Sequence, residues 1–222
     1  MSQQETPTPR PLVIGLAGSV GAGKSTVARL LAERGCVVID SDKAVRALLA
    51  TAPVRDELVR WWGPGVLDDS GALDRSAIAR IVFADEAERK RLEGYIHPLL
   101  APGRERTIRD AAAAGAPAVV LDAPLLFEAG LDADCDAVVV VDAARAVREG
   151  RVQASRGWDA RELARREKSQ HPLEDKRRRA DYLVDNSGDE AALAESVARV
   201  FSKIMEQRPR RGPSTSEDRA RP

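Results

Sequence analysis

The chain has 222 residues, of which 43% are hydrophobic, and its 35 lysine and arginine residues balance its 35 aspartate and glutamate residues. This composition is sufficient for a buried core and excludes a chain that is disordered throughout. The balanced charge gives no overall attraction to nucleic acid or to a membrane surface, so neither is expected as a partner.

Apolar runs of strand length alternate with segments of helical spacing. The predicted strands are residues 12–17, 36–39, one run within 118–127, 137–142 and 182–184, and the predicted helices are 25–34, most of 43–114, 145–179 and 189–205. The third and fourth strands are continuously apolar, as is typical of strands that are covered on both faces. The pattern therefore predicts an α/β fold with a five-stranded parallel sheet flanked by helices.

The segment between the second and third strands is too long for one crossover helix. We expect it to form a helical insertion, residues 43–115, over the carboxyl ends of the strands, where open α/β sheets bind ligands. Prolines such as Pro98 and Pro102 are expected to interrupt its helices. The predicted core then comprises residues 12–42, 116–144 and 181–206, and residues 145–180 form a predicted lid.

The two ends of the chain are rich in proline, serine and charge. Residues 1–11 and 207–222 are therefore expected to be disordered tails. The first eleven residues lack the apolar stretch of a signal peptide, and no segment approaches about 20 uncharged apolar residues. Cys36 and Cys135 lie in no metal-ligand or C-x-x-C spacing, and they are expected to be buried thiols. These features predict a cytoplasmic protein, and they carry no signal for an oligomeric state.

Residues 18–25, GSVGAGKS, match the pattern G-x-x-x-x-G-K-[ST] between a predicted strand and a predicted helix. Glycines let backbone N–H groups approach phosphate oxygens, and the helix presents its positive end to the same anion. Lys24 adds a charge near the β- and γ-phosphates, and the Ser25 hydroxyl suits Mg²⁺. The loop predicts binding of a nucleoside triphosphate with magnesium.

Three classes of protein use such a loop. A GTPase switch needs a guanine-reading N-K-x-D string, which the sequence lacks, and a motor ATPase usually ends a strand in adjacent acidic residues, of which Asp122 is only a faint version. A small-molecule kinase needs a carboxylate near the γ-phosphate, an acceptor pocket and a cationic lid. The sequence offers candidates for all three.

The candidate carboxylates are Asp40 and Asp42, directly after the second strand. One of them could instead cap the next helix, so the pair could divide between capping and chemistry. The candidate lid is strongly basic, since residues 143–181 contain twelve lysine or arginine residues and seven aspartate or glutamate residues. A charged segment is often only a solvated helix face, but beside a phosphate loop it favours a mobile cationic lid.

Five segments resemble, in order and spacing, those of dephospho-coenzyme A kinases. They are GSVGAGKST, VIDSDKAVRALL, GALDRSAIARIVFADEAERKRLEGYIHPLL, LDAPLLFEAGL and KSQHPLEDKRRRADYLVDNSG, which together run from about residue 12 to residue 205. The resemblance implies that ATP phosphorylates the ribose 3′-hydroxyl of dephospho-coenzyme A, giving coenzyme A and ADP, in the last step of coenzyme A synthesis. The implied substrates are ATP and dephospho-coenzyme A, and the implied cofactor is Mg²⁺.

The resemblance also implies roles for individual residues. Asp42 matches the general base, and Lys24 is the second implied catalytic residue. The implied ATP-binding residues are Gly18, Gly21, Ala22, Gly23, Lys24, Ser25, Thr26, Arg151, Arg166 and Asn186, and the implied acceptor-binding residues are Asp40, His97, Leu125 and Glu128.

The sequence departs from this pattern in two places. The family usually carries R-D-G where Ser155-Arg156-Gly157 stands, so the arginine comes one place later, and Trp61-Trp62-Gly63 replaces an aromatic residue and glycine. The tryptophans are expected to belong to the core. Another small-molecule kinase for nucleosides or nucleotides remains an alternative function, as does a nucleotide-dependent regulatory or RNA-binding module.

Overall fold

A computed structural model of the chain describes residues 10–168 and 170–207. Within them the chain forms two compact units, one from the residues up to Ile39 together with those from Ile108 onward, and the other from Asp40–Thr107. We call these the sheet unit and the helical unit. The predictions for residues 1–9 and 208–222 lie outside the described residues, and the last helix extends to Gln207, one residue into the predicted tail.

The sheet has five strands, as the apolar pattern predicts. They are β1 (Leu12–Gly18), β2 (Val37–Asp40), β3 (Ala118–Asp122), β4 (Ala137–Asp142) and β5 (Tyr182–Asp185), in the order β2-β3-β1-β4-β5. The central strand β1 pairs in parallel with β3 on one side and β4 on the other. The predicted parallel α/β fold is confirmed, and the loop after β1 emerges from the middle of the sheet.

The helices are α1 (Lys24–Ala32), α2 (Ser41–Leu49), α3 (Ala52–Trp62), α4 (Arg75–Ala84), α5 (Glu86–Ala113), α6 (Arg145–Arg156), α7 (Ala160–Glu167), α8 (Leu173–Arg179) and α9 (Glu190–Gln207). Among these helices we find none that is both long and apolar enough to cross a membrane.

Both faces of the three inner strands of the sheet are buried. Ile14 and Leu16 on β1 point into a cluster that includes residues of α1 and α9, whereas Val13 and Ala17 point into a second cluster on the opposite face. Because successive side chains of a strand alternate between faces, the unbroken apolar run of β1 supplies both clusters. The two cores fix the ends of the strands, from which the loops of the site emerge.

The helical unit has its own core, formed by α2 to α5 and centred on residues such as Leu58 and Ile96. Trp61 and Trp62 pack against this core, in agreement with the prediction. The expectation that Pro98 and Pro102 interrupt the helix is wrong, since α5 runs without a break from Glu86 to Ala113. Each proline removes a backbone donor at a cost of about 3 kcal/mol, and α5 nevertheless continues through both, with Ile96 buried in the core of the helical unit.

The charged segment after β4 forms three helices. Gly157, with a left-handed φ of 67°, ends α6, and the Asp159 side chain caps α7 by accepting a hydrogen bond of 2.8 Å from Glu162 N. Pro172 precedes α8 and fixes its start. The charge pattern alone predicts one helical segment over residues 145–179, and the residues at the helix ends divide it into α6, α7 and α8.

Candidate active site

The loop of residues 18–25 has a backbone that few residues other than glycine can adopt. Gly21 and Gly23 have left-handed φ angles of 78° and 85°. A Cβ atom on Gly18 would lie 2.6 Å from the Val141 carbonyl oxygen, and one on Gly23 would lie 2.2 Å from Asn186 Nδ2. Steric contact and φ thus account for the glycines of the motif.

The loop leads directly into α1, whose first residue is Lys24. Gly23 is the N-cap and no side chain caps the first turn. Thr26 N donates to the Gly23 carbonyl at 3.0 Å, so Thr26 helps to close this turn, while the loop residue Ala22 is fully buried. An uncapped helix start beside a glycine-rich loop is suited to binding a phosphate anion.

The Lys24 ammonium group pairs with the carboxylate of Asp122. Asp122 is the last residue of β3 and lies opposite Leu16 of β1 in the sheet register. The pair therefore stands at the carboxyl ends of the two central strands, beside the loop. The sequence identified Asp122 only as a faint acidic strand end, and the structure shows that it is the partner of the loop lysine.

The donor set near the loop fits a divalent ion that is bound largely through substrate phosphates. Ser25 is exposed on the first turn of α1, and Asp122 supplies a carboxylate that pairs with the adjacent Lys24. In the described part of the chain no cluster of three or more His, Cys, Asp or Glu side chains could hold a metal ion by itself. Mg²⁺ characteristically uses one or two protein oxygens together with phosphates and water.

Asn186 stabilises the loop through a hydrogen bond to its backbone. Its side chain is 5% exposed, and its Nδ2 group donates to the Ala22 carbonyl oxygen at 2.7 Å. Arg151 on α6 donates to Asn186 Oδ1 at 3.3 Å and to the same Ala22 carbonyl at 3.5 Å. Arg151 and Asn186, which are both predicted to bind ATP, therefore contact the loop. Asn186 does so by fixing the direction of a loop carbonyl, which sequence reasoning did not foresee.

A second arginine of α6 was not identified from the sequence. Arg148 is buried, donates to the carbonyl oxygens of Val20 at 3.2 Å and Ala143 at 3.1 Å, and forms an ion pair with Glu167 at the end of α7. This side chain joins the loop, the residue that follows β4, and the helices α6 and α7. Its only sequence signal is its place on the same basic helix as Arg151.

Asp142 at the end of β4 makes a similar connection. It accepts hydrogen bonds from Ser19 Oγ at 3.3 Å and from the Arg177 guanidinium at 2.6 Å, and this carboxylate raises the pKa of Arg177. The first residues of the loop are thereby linked to α8. In the sequence, Asp142 is only the last residue of a predicted strand, and no motif marks it as a contact of the loop.

Glu128 contacts the base of the predicted lid. Its Oε1 atom accepts from His171 N at 2.5 Å and lies 3.7 Å from the ammonium group of Lys176, which is 2% exposed and donates to Gln170 at 2.7 Å. Burial lowers the pKa of Lys176, although Glu128 opposes the shift. Leu125, three residues earlier, is exposed.

The remaining predicted site residues belong mostly to the helical unit. Asp40 is the N-cap of α2 and accepts a hydrogen bond of 2.8 Å from Lys43 N, whereas Asp42 is exposed in the first turn of that helix. His97 is partly buried within α5. The capping alternative thus applies to Asp40, which leaves Asp42 as the carboxylate that does not form the cap.

Arg166 stands on α7 in the sheet unit. Its Nε group donates to Glu162 at 2.9 Å, and its guanidinium carbon lies 4.3 Å from the centroid of the Trp158 ring. Its described contacts are therefore within the lid.

Known proteins resemble this chain over most of its length. A family model described as dephospho-CoA kinase matches residues 12–192. A dephospho-CoA kinase of Anaeromyxobacter dehalogenans is 43% identical over 91% of this chain and 96% of its own, and one of Symbiobacterium thermophilum is 44% identical over 79% and 74%. A crystal structure from Thermus thermophilus is 35% identical, covers 88% of this chain and 99% of its own, and superposes with a TM-score of 0.75.

Proposed function

Because the chain belongs to the dephospho-CoA kinase family and is an enzyme that phosphorylates dephospho-CoA with ATP, we propose that Asp42, the glycine-rich loop and the arginines of α6 and α7 carry out a direct in-line transfer to the ribose 3′-hydroxyl. The products are coenzyme A and ADP. The Lys24–Asp122 pair at the loop is the observation that carries the proposal.

The loop holds the donor. Its glycine backbone and the start of α1 bind the phosphates, and Lys24 exchanges the Asp122 carboxylate for phosphate oxygens when the nucleotide enters. The exchange costs little free energy because one charge-assisted hydrogen-bond partner of Lys24 replaces another. The family uses ATP with a divalent metal, which we propose is Mg²⁺ held by Ser25, with Asp122 nearby. When bound, the ion neutralises charge on the β- and γ-phosphates.

Asp42 orients the acceptor hydroxyl and takes its proton. Two features support this assignment, namely its place two residues after the end of β2 and the formation of the helix cap by Asp40 instead. Asp40, His97, Leu125 and Glu128 are proposed to help form the acceptor side, Asp40 by capping α2 and Glu128 by fixing the base of the lid. General-base catalysis of this kind contributes about 10²- to 10⁴-fold.

The arginines stabilise the charge that spreads over the transferring group. Arg151 already reaches the loop carbonyl of Ala22, so a small displacement of its guanidinium suffices to contact a phosphate. Arg166 is proposed to approach from α7. Cationic donors of this kind act most strongly where water is excluded, which is the physical purpose of a lid.

An acceptor panel tests the proposal. ADP release from ATP is measured with dephospho-CoA, nucleosides, nucleoside monophosphates or shikimate as the acceptor, and the phosphorylated product is located by mass spectrometry and ³¹P NMR. We expect dephospho-CoA alone to stimulate release and the ribose 3′-position to carry the phosphate. Stimulation by another acceptor, or ATP binding without transfer to any hydroxyl, would overturn it.

A further inference from the structure

One aromatic side chain of the lid contacts two arginines. The guanidinium carbon of Arg156 lies 4.6 Å from the Trp158 ring centroid, and that of Arg166 lies 4.3 Å from it. Both distances are within the range of cation–π attraction, and together they keep the two guanidinium carbons at most about 9 Å apart. Trp158 therefore holds two guanidinium groups in one part of the lid.

The local sequence places the three residues together. Arg156 is the last residue of α6, Gly157 turns the chain with a φ of 67°, and Trp158 follows immediately. The Asp159 cap then starts α7. Arg166 therefore returns from a second helix to a ring that is two residues from Arg156.

The electrostatics of this cluster favour an anion. Two guanidinium groups that meet on one ring repel each other, and Glu162 offsets the charge of Arg166 through a hydrogen bond of 2.9 Å. Hydrogen bonds from Arg165 and Arg166 lower the pKa of Glu162 to about 2, so its carboxylate is charged at neutral pH. Because Glu162 is shared between Arg165 and Arg166, positive charge remains near Trp158 that an added phosphate would neutralise.

The cluster also lies one helical turn from the loop contact of α6. Val152 packs against the loop so closely that a Cβ atom on Gly21 would lie 2.8 Å from its Cγ1. Arg156 follows Val152 by four residues, on the same side of the helix and about 6 Å further along its axis. An arginine side chain can span such a distance toward an anion that is held by the loop.

We infer that Trp158 is a positioning residue that gathers Arg156 and Arg166 into one binding site for the γ-phosphate of the nucleotide in the loop. The stacking gives Arg156 a function although it stands one place later than the arginine in related kinases. The inference rests on the proposed function in one respect, that ATP in the loop is the phosphoryl donor.

Calorimetric titration with ADP and with the β,γ-imido analogue of ATP tests this inference. In Trp158→Leu we expect the affinity for the analogue to fall about 10-fold and that for ADP, which lacks the γ-phosphate, by less than about 2-fold. With dephospho-CoA, kcat should fall about 10-fold while KM for dephospho-CoA stays constant. The control, Arg178→Met, removes an exposed charge from α8, and we expect it to bind both nucleotides as the wild type does.

A mutant cycle separates positioning from general damage. In the Arg156→Met/Arg166→Met background, Trp158→Leu should weaken analogue binding by less than about a further 2-fold, because the residues it positions are absent. Three results would overturn the inference. Trp158→Leu could bind the analogue as tightly as the wild type does, or it could lose affinity equally for ADP and for the analogue. Alternatively, Trp158→Leu could weaken analogue binding as much in the double-variant background as in the wild type.

Two further arms keep the test decisive. If Trp158→Leu does not fold, Trp158→Phe, which retains a weaker cation–π partner, should lose about 3-fold for the analogue and nothing for ADP; no selective loss would overturn the inference. The binding arms need no acceptor, so failure of dephospho-CoA to react in the wild type would count against the proposed function and leave this inference separately measurable.

Discussion

The loop of residues 18–25 and the predicted lid of residues 145–180 are shaped by different forces. The loop depends on its backbone, since Gly21 and Gly23 have left-handed φ angles and Gly18 and Gly23 leave no room for a side chain. The lid helices depend on side-chain pairs such as Arg148–Glu167 and on Arg177–Asp142, which ties α8 to β4. A shape set by the backbone tolerates little substitution, whereas one set by side-chain pairs can open and close as partners exchange.

The largest expected effect is on the loop. Gly23→Ala would combine a left-handed φ with a Cβ atom 2.2 Å from Asn186 Nδ2, so we expect nucleotide affinity to fall roughly 100-fold. The matched control is Gly115→Ala, where φ is also positive, at 69°, but nothing lies within 4 Å of the added Cβ. It should cost about 1 kcal/mol of stability and leave affinity unchanged. Equal affinity losses would mean that crowding at Gly23 does not shape the site.

A smaller effect is expected in the lid. Arg148→Met leaves Glu167 and the Val20 carbonyl without their partner, and we expect the free energy of unfolding in urea to fall by about 2 kcal/mol. Arg145→Met is the control, because the Arg145–Glu149 side chains are 58% and 36% exposed, against 8% and 27% for Arg148–Glu167. Such an exposed pair contributes at most about 0.5 kcal/mol. Similar losses in both variants would show that Arg148 does not hold the lid helices.

The smallest effect concerns the sheet beneath both regions. Burial raises the pKa of the Cys36 thiol from its ordinary value of 9.0 to about 11. The folded chain therefore retains a proton that the unfolded chain loses, and this contribution to stability is full below pH 9 and declines as the pH rises toward 11. The stability advantage of the wild type over Cys36→Ala, measured by urea unfolding, should shrink between pH 8.5 and 10.5. A constant difference would contradict the assignment.

Local signals were sufficient to predict the sheet and the loop. Strand bounds follow from apolar runs, with β4 predicted at the residues where it is found, and the loop glycines follow from a contiguous motif. The contacts that hold the lid could not be predicted in this way. Asp142 and Ser19 are 123 residues apart in the chain, and Arg177 is 35 residues from Asp142. Such pairs depend on tertiary packing, and neither member carries a distinctive local pattern.

The two aspartates after β2 illustrate the same limit. Helix capping and general-base catalysis both favour aspartate after β2, so the sequence alone could not show which of Asp40 and Asp42 has which role. The hydrogen bond from Lys43 N to Asp40 assigns the cap. The continuity of α5 through Pro98 is a further case in which packing outweighs a local preference.

The most direct test of the catalytic assignment is a single-turnover measurement of phosphoryl transfer from ATP to dephospho-CoA in Asp42→Asn and Asp40→Asn. Asparagine caps a helix about as well as aspartate does, so Asp40→Asn should keep the cap and transfer within a few-fold of the wild type. Asp42→Asn should bind ATP within a few-fold of the wild type and transfer phosphate roughly 10²-fold or more slowly. Transfer at the wild-type rate in Asp42→Asn would contradict the account and direct the search for the base to Asp40 or Asp122.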